Sequence, residues 1–234
     1  MPEKTAGFSG IVAYLPVISA VFIFLIHKVS YSYLSELFFS MEHPLLRFLF
    51  DRAAYFVLYP LAGWFSFKWI LERNFPEKRF TPEGPAGNLQ KMLFYALISA
   101  FFLILVMLFF HFFIPSDNSG VLNRNTGKLP SVSFLILFTA ASVILTPVME
   151  EIFYREFLGK FLAERMGWET GIFLQALLFA FAHKTAILPV MFTVGIACGI
   201  MYFKFGLKGS ILTHSLYNAL VLMLAFYFKD GIFS

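Results

Sequence analysis

Three short patterns in this sequence put ionisable or hydrogen-bonding side chains at helical spacing inside apolar stretches. The first is Pro147-Val148-Met149-Glu150-Glu151-Ile152-Phe153-Tyr154-Arg155. On a helix, Glu151 and Arg155 lie four apart on one face with the acid first, the favourable order for an ion pair. Glu150 points about 100° away and does not share that partner. The two acids are therefore not equivalent: Glu151 reads as structural, and Glu150 is the carboxylate available as a general base. Pro147 removes a backbone hydrogen bond three residues upstream and predicts a kink just before Glu150. Such a kink is tolerated at membrane depth where it lines a protein cavity. Tyr154, four residues from Glu150, is placed either to hold its carboxylate or simply to pack.

The second pattern sets Gln175, Phe179 and His183 at i, i+4 and i+8 on one helical face. A lone histidine at a helix end is ordinarily a packing or capping residue, so His183 draws interest only through its company. The third pattern sets His214 and Asn218 four apart in an otherwise apolar run. Two aligned polar side chains in lipid need either core hydrogen bonds or a site. One glutamate, two histidines and an asparagine from three helices make a polar cluster in an apolar body.

The elements that must position them are membrane helices. Of the 234 residues 59% are hydrophobic and 14% charged, with 33 Phe. Soluble domains run near 45–50% apolar and about 25% charged. A soluble enzyme, a disordered chain and a disulfide scaffold are excluded, and the surplus apolar surface must face lipid. Runs long enough for a span of about 20 residues are Phe8–His27, Ala53–Leu71, Met92–Ile114 and Ser131–Met149. Trp168–His183, Ile187–Phe203 and Leu207–Phe228 follow as shorter or polar-punctuated spans. The fold class is an all-α polytopic membrane bundle of about seven transmembrane helices, with six to eight allowed. Unbroken runs exclude a barrel, whose strands alternate.

The first span is unlike a cleaved signal peptide: it is too long, its leading segment carries a single Lys, and no small-x-small site follows. Lipidation signals are not seen. Cys198 is the single cysteine, so no internal disulfide forms. With the N-terminus cytoplasmic and seven spans, 11 of the 18 Lys and Arg fall inside, a bias in the usual direction. The polar loop Pro115–Pro130 then lies outside. Ser32–Asp51 reads as a short interfacial amphipathic helix, and Glu72–Lys91 as a turn-rich connector. The charges are scattered, so a nucleic-acid partner is not expected; the partner that composition implies is the lipid bilayer. Polar residues enter the apolar stretches only from about Ser131, which divides the chain into residues 1–130, helices and loops, and 131–230, where chemistry is to be sought.

Taken in order, Glu150-Glu151-x-x-x-Arg155, Phe179-x-x-x-His183 and His214-x-x-x-Asn218 resemble the motifs of the CPBP family, the CAAX proteases and bacteriocin-processing enzymes also called ABI. The resemblance covers roughly Phe134–Phe228; Trp168 before the second motif and Gly206-x-x-x-Ser210 before the third fit it as well. It implies an intramembrane endopeptidase of glutamate type in a bacterial plasma membrane. Glu150, helped by His183, activates a water; His214 and Asn218 stabilise the tetrahedral oxyanion; Glu151 and Arg155 fix the helix, with Tyr154 and Phe179 in support. No cofactor is implied.

Rival readings remain at this level. Two histidines and a glutamate are the ligand set of several zinc proteases, but no His-Glu-x-x-His is present and the residues lie on three helices, so zinc is not favoured. Gly7-Phe8-Ser9-Gly10 resembles a rhomboid serine motif but sits at the edge of the first span. Ala197-Cys198-Gly199 resembles an exosortase-type site, although Gly195-x-x-x-Gly199 reads more simply as close helix packing. A non-catalytic immunity or scaffold protein is the alternative of a different class; a transporter would show polar residues in both halves. His27, His43 and His111 have no companions at helical spacing.

Overall fold

Backbone groups in lipid must be satisfied within the chain, so long apolar runs become helices. The computed structural model describes residues 89–113, 132–183 and 187–227, and among these there is no strand. They form α1 (Leu89–Phe113), α2 (residues 132–166), α3 (Trp168–Phe181) and α4 (Leu188–Tyr227). Three of them, α1, α2 and α4, are long and apolar enough to cross a membrane, while α3 is a shorter apolar helix. The spans at Phe8–His27 and Ala53–Leu71, the helix at Ser32–Asp51, the loop Pro115–Pro130 and the Gly7–Gly10 motif lie outside the described residues.

The α1 helix shows how such an apolar sequence chooses its inner face. Ala96, Ala100, Leu103 and Ile104 are buried at helical spacing, whereas Phe94, Phe101, Phe102 and Phe109 point outward. Two alanines on this inner face let α1 come close to α4, the arrangement that allows helices to pack without a hydrophobic drive between them.

α2 departs from the expected span. The sequence predicts an end at Met149; instead the helix runs to Met166, because Phe153, Tyr154, Leu158, Phe161 and Leu162 continue a buried apolar face through the charged stretch. It is also not uniform. Thr146–Glu151 is a regular α-helical segment held between wider π-helical turns at Ala141–Leu145 and Ile152–Gly159. The predicted disturbance at Pro147 takes this form. Its ring would clash with the carbonyl four residues back, and the wider turn relieves the crowding. Thr146 N–H bonds Ala141 five residues back. The next bond in that register would run from residue 147 to the Ser142 carbonyl, and proline has no N–H to give.

α2 and α3 are joined through Gly167, at φ 88°. α3 crosses α4 so closely that a Cβ on Gly195 would sit 2.8 Å from the Ala176 Cα, the close packing expected of Gly195-x-x-x-Gly199. α4 breaks at Gly206, with φ 68° and ψ −168°, a conformation open almost only to glycine. In a straight helix, Cys198 and Ser210 would be about 18 Å apart along the axis. Here Ser210 Oγ donates to the Cys198 carbonyl at 2.9 Å. The two arms, 188–205 and 207–227, fold back on each other, which matches the two spans read at Ile187–Phe203 and Leu207–Phe228.

Candidate active site

The centre of the bundle is polar. Glu151, fully buried, takes Arg155 Nε at 2.9 Å one turn away on the same face. This is the pair that the i, i+4 spacing predicts. The second arm of α4 supplies two more partners: Ser210 Oγ donates to Glu151 Oε2, and His214 Nδ1 meets Oε1 at 2.7 Å. Both carboxylate oxygens are thus engaged, as a buried charge requires. Arg155 is itself covered. Its guanidinium carbon lies 4.8 Å from the Phe179 ring centre, and Nη2 reaches the Gly195 carbonyl at 3.5 Å. Gln175 donates to that same carbonyl at 3.0 Å and to Ile172.

Glu151 also orients His214. With Nδ1 turned to Glu151, Nε2 faces the other acid, 3.7 Å from Glu150 Oε2. His214 therefore stands between two carboxylates that are chain neighbours, one of them locked by a cation. Glu150 and His214 are both buried, at 8% and 4% exposure, so their interaction is little weakened by water.

His183 follows the last turn of α3, with Nδ1 2.8 Å from the Phe179 carbonyl. Phe179 forms the wall it shares with His214; its ring centre is 4.7 Å from the first imidazole and 5.8 Å from the second. Tyr154 packs edge-on against Phe179 and Phe153, the packing alternative of its two sequence readings.

Asn218 holds an unforeseen position. Its Nδ2 donates to the Ser142 carbonyl at 2.9 Å, the acceptor that Pro147 leaves without a π-register donor. A primary amide has two hydrogens, so one remains for another acceptor. Beside this contact an apolar groove of about 600 Å³ runs between Thr139 and Val143 of α2 and Ala219, Leu222, Met223 and Phe226 of α4.

Glu151, Cys198 and His214 each bring one potential metal-ligand atom within 4.8 Å of the others. This is a different trio from the Glu150, His183 and His214 set read from the sequence. To use it, an ion would have to displace the Glu151–His214 bond beside a guanidinium already bound to the same carboxylate.

Ser210 and Gln175 are polar, fully buried and central. The sequence offered Gln175 through its shared face with Phe179 and His183, and Ser210 only through its place in the resemblance.

Residues 132–220 match the family model of type II CAAX prenyl endopeptidase Rce1-like proteins. Over this segment the chain is similar to the CAAX proteases. The match takes in α2, α3 and most of α4, and with them Glu150, His183, His214 and Asn218. Together with the three helices long and apolar enough to cross a membrane, the match indicates an integral membrane protein. No curated protein and no solved structure matches it.

Proposed function

We propose that the protein is a multi-pass intramembrane endopeptidase of glutamate type that cleaves a membrane-associated protein or peptide. The observation that carries this reading is the buried sequence of contacts Arg155–Glu151–His214–Glu150 in a CAAX protease segment. One carboxylate neutralises a cation and aims an imidazole; the other, 3.7 Å from that imidazole, is the proton acceptor in this reading.

In this reading Glu150, with His183, takes a proton from water as the water oxygen bonds to the scissile carbonyl carbon. The carbonyl oxygen becomes an oxyanion, stabilised by His214 with a proton on Nε2 and by the second amide hydrogen of Asn218. Donors placed where charge develops are worth about 10²–10³ in rate each. The proton held by Glu150 then passes to the leaving nitrogen as the C–N bond breaks. Glu151, Arg155 and Ser210 keep the imidazole plane fixed throughout. The reaction as written needs no cofactor.

A zinc-dependent version of the same protease is favoured by one observation, the Glu151, Cys198 and His214 trio. The alternative of another class is an immunity or scaffold protein that acts by binding. The test compares membrane and secreted proteins of cells carrying wild type or Glu150→Gln, which keeps shape and removes the base. An uncleaved precursor accumulating in the mutant is the expected result. Unchanged precursors together with retained biological effect would favour binding.

A further inference from the structure

We infer that Gln175 is a positioning residue for the site: its amide fixes the Gly195 carbonyl, and that carbonyl sets where the Arg155 guanidinium, and through it Glu151 and His214, are held. The purpose of this placement rests on the protease reading above; the hold of Gln175 on Arg155 does not.

Gln175 is the single polar residue among the buried residues of α3, and it is 1% exposed. A leucine or methionine would fill such a position with no polar group to satisfy, whereas a buried amide is costly unless its hydrogen bonds are made. Gln175 gives both hydrogens of Nε2 to backbone carbonyls, Ile172 on its own helix and Gly195 on α4, each at 3.0 Å. A planar amide aims those hydrogens in two set directions, so the carbonyl on α4 is held in a set direction from the one on α3. Oε1, by contrast, is buried and meets no hydrogen-bond donor among the described residues. The side chain is thus placed for what it donates.

Glycines keep the space around it open. A Cβ on Gly199 would lie 2.8 Å from Gln175 Nε2, and one on Gly159 would lie 3.4 Å from its Cγ. Gly195-x-x-x-Gly199 therefore does more than bring two helices together. Its second glycine makes room for a side chain that reaches the carbonyl of the first.

Arg155 depends on that carbonyl. An arginine that grips both oxygens of a carboxylate has its plane fixed by the pair. Here Glu151 Oε1 is engaged by His214, and the contact with Arg155 runs from Nε to Oε2 at 2.9 Å, without the alignment of a hydrogen bond. Among the described residues the one hydrogen bond of the guanidinium is from Nη2 to Gly195, at 3.5 Å. That length is the outer limit for such a bond, so a small displacement of the carbonyl removes it. The Phe179 ring, 4.8 Å away, covers the cation but has no acceptor atom to stop it turning. The effect reaches the reacting groups by way of Glu151, which holds His214 Nδ1 at 2.7 Å and so aims Nε2 at Glu150. A cation that shifts takes its carboxylate with it, and a misplacement of about 1 Å can cost about 100-fold in rate.

Gln175→Met tests this, because it keeps length and volume and removes both donors. Gly199→Ala is the second variant; it leaves Gln175 in place, pushes its amide off Gly195, and decides if Gln175→Met does not accumulate. Protein carrying isotope-labelled arginine is purified in detergent, and the Arg155 side-chain resonances are assigned by their loss in Arg155→Lys. In wild type the Arg155 Nη hydrogens should give separate signals, the mark of a guanidinium that does not rotate; in the variants they should merge. Cleavage of the precursor found with Glu150→Gln is measured alongside. In Gln175→Met, kcat per folded molecule should fall about 10- to 100-fold with KM unchanged. Its urea midpoint should move little, since the lost bonds are offset by removal of the unserved Oε1. Arg155 signals that stay separate overturn the inference. So does an unchanged kcat per folded molecule, and with a lowered midpoint it is the pattern of a residue that only packs. If wild type cleaves nothing, the protease reading fails, and the Arg155 signals still decide whether Gln175 holds the guanidinium.

Discussion

Replacing Glu151 with glutamine takes one negative charge out of the most enclosed cluster of the bundle, and the damage should fall on the fold before it falls on chemistry. Glu151 is 0% and Arg155 1% exposed, so water cannot take over for the lost carboxylate. Removing one partner of a buried pair costs about 3–5 kcal/mol, because the other charge is left uncompensated. Two features offset part of this. The Phe179 face 4.8 Å from the guanidinium is worth up to about 2 kcal/mol to a desolvated cation, and the glutamine oxygen still accepts one hydrogen bond. A net loss of about 3 kcal/mol follows from the lower half of the range. Glu150→Gln leaves the Glu151–Arg155 pair in place and keeps the side-chain shape, so it should cost less, about 1 kcal/mol. Both variants, purified in one detergent, are compared by urea unfolding followed through tryptophan fluorescence, and by cleavage of the substrate found by proteomics. Glu150→Gln should be stable and inactive; Glu151→Gln should be destabilised, and its residual activity should fall with the folded fraction and with loss of the His214 orientation. Equal stability of the two variants would refute the division of labour between the acids.

Other outcomes follow from the same geometry. Gly206→Ala forces a side chain into a backbone region reserved for glycine and should lower stability by about 1–3 kcal/mol, read as an earlier unfolding midpoint with reduced activity. Asn218→Ala should reduce kcat about 10²- to 10³-fold if its free hydrogen meets the oxyanion; a loss of stability with kcat per folded molecule unchanged would leave it only the Ser142 contact. Cys198→Ala should keep activity, and so should wild type treated with a chelator; loss in both would move the reading to a metal held by Glu151, Cys198 and His214. Gly195→Leu should separate α3 from α4, because even a methyl there meets Ala176 backbone at 2.8 Å, and overpacking of this kind costs about 1–3 kcal/mol.

Local periodicity carried much of this into the sequence. The Glu151–Arg155 pair, the close crossing at Gly195 and the division of α4 near Gly206 all depend on residues within a few turns of one another. The bond between Glu151 and His214 joins residues 63 apart and exists only because α4 folds back; no spacing rule carries that. Ser210 went unweighted for the same reason, its two partners lying on another helix and on the other arm. The extension of α2 past Met149 was hidden by Glu150, Glu151, Arg155 and Glu156, which read as the end of a span when their partners are unknown. The Asn218 contact depends on which carbonyl Pro147 leaves unserved, and that depends on the turn being wide. The helix count of about seven concerns residues beyond those described as well as within them.

The two wide turns of α2 have a consequence for what changes the chain can accept. A π turn holds one residue more than the regular helix would need, so deleting one residue between Ala141 and Leu145 would allow the stretch to close into an ordinary helix. Glu150 and Glu151 would then swing about 100° around the axis, away from His214 and Ser210. Apolar residues such as Ile144 or Leu145, both exposed among the described residues, can be exchanged for others of similar volume with little effect, while loss of any one of them uncouples the acids from the rest of the site. In this part of the molecule the number of residues is a stricter requirement than their identity.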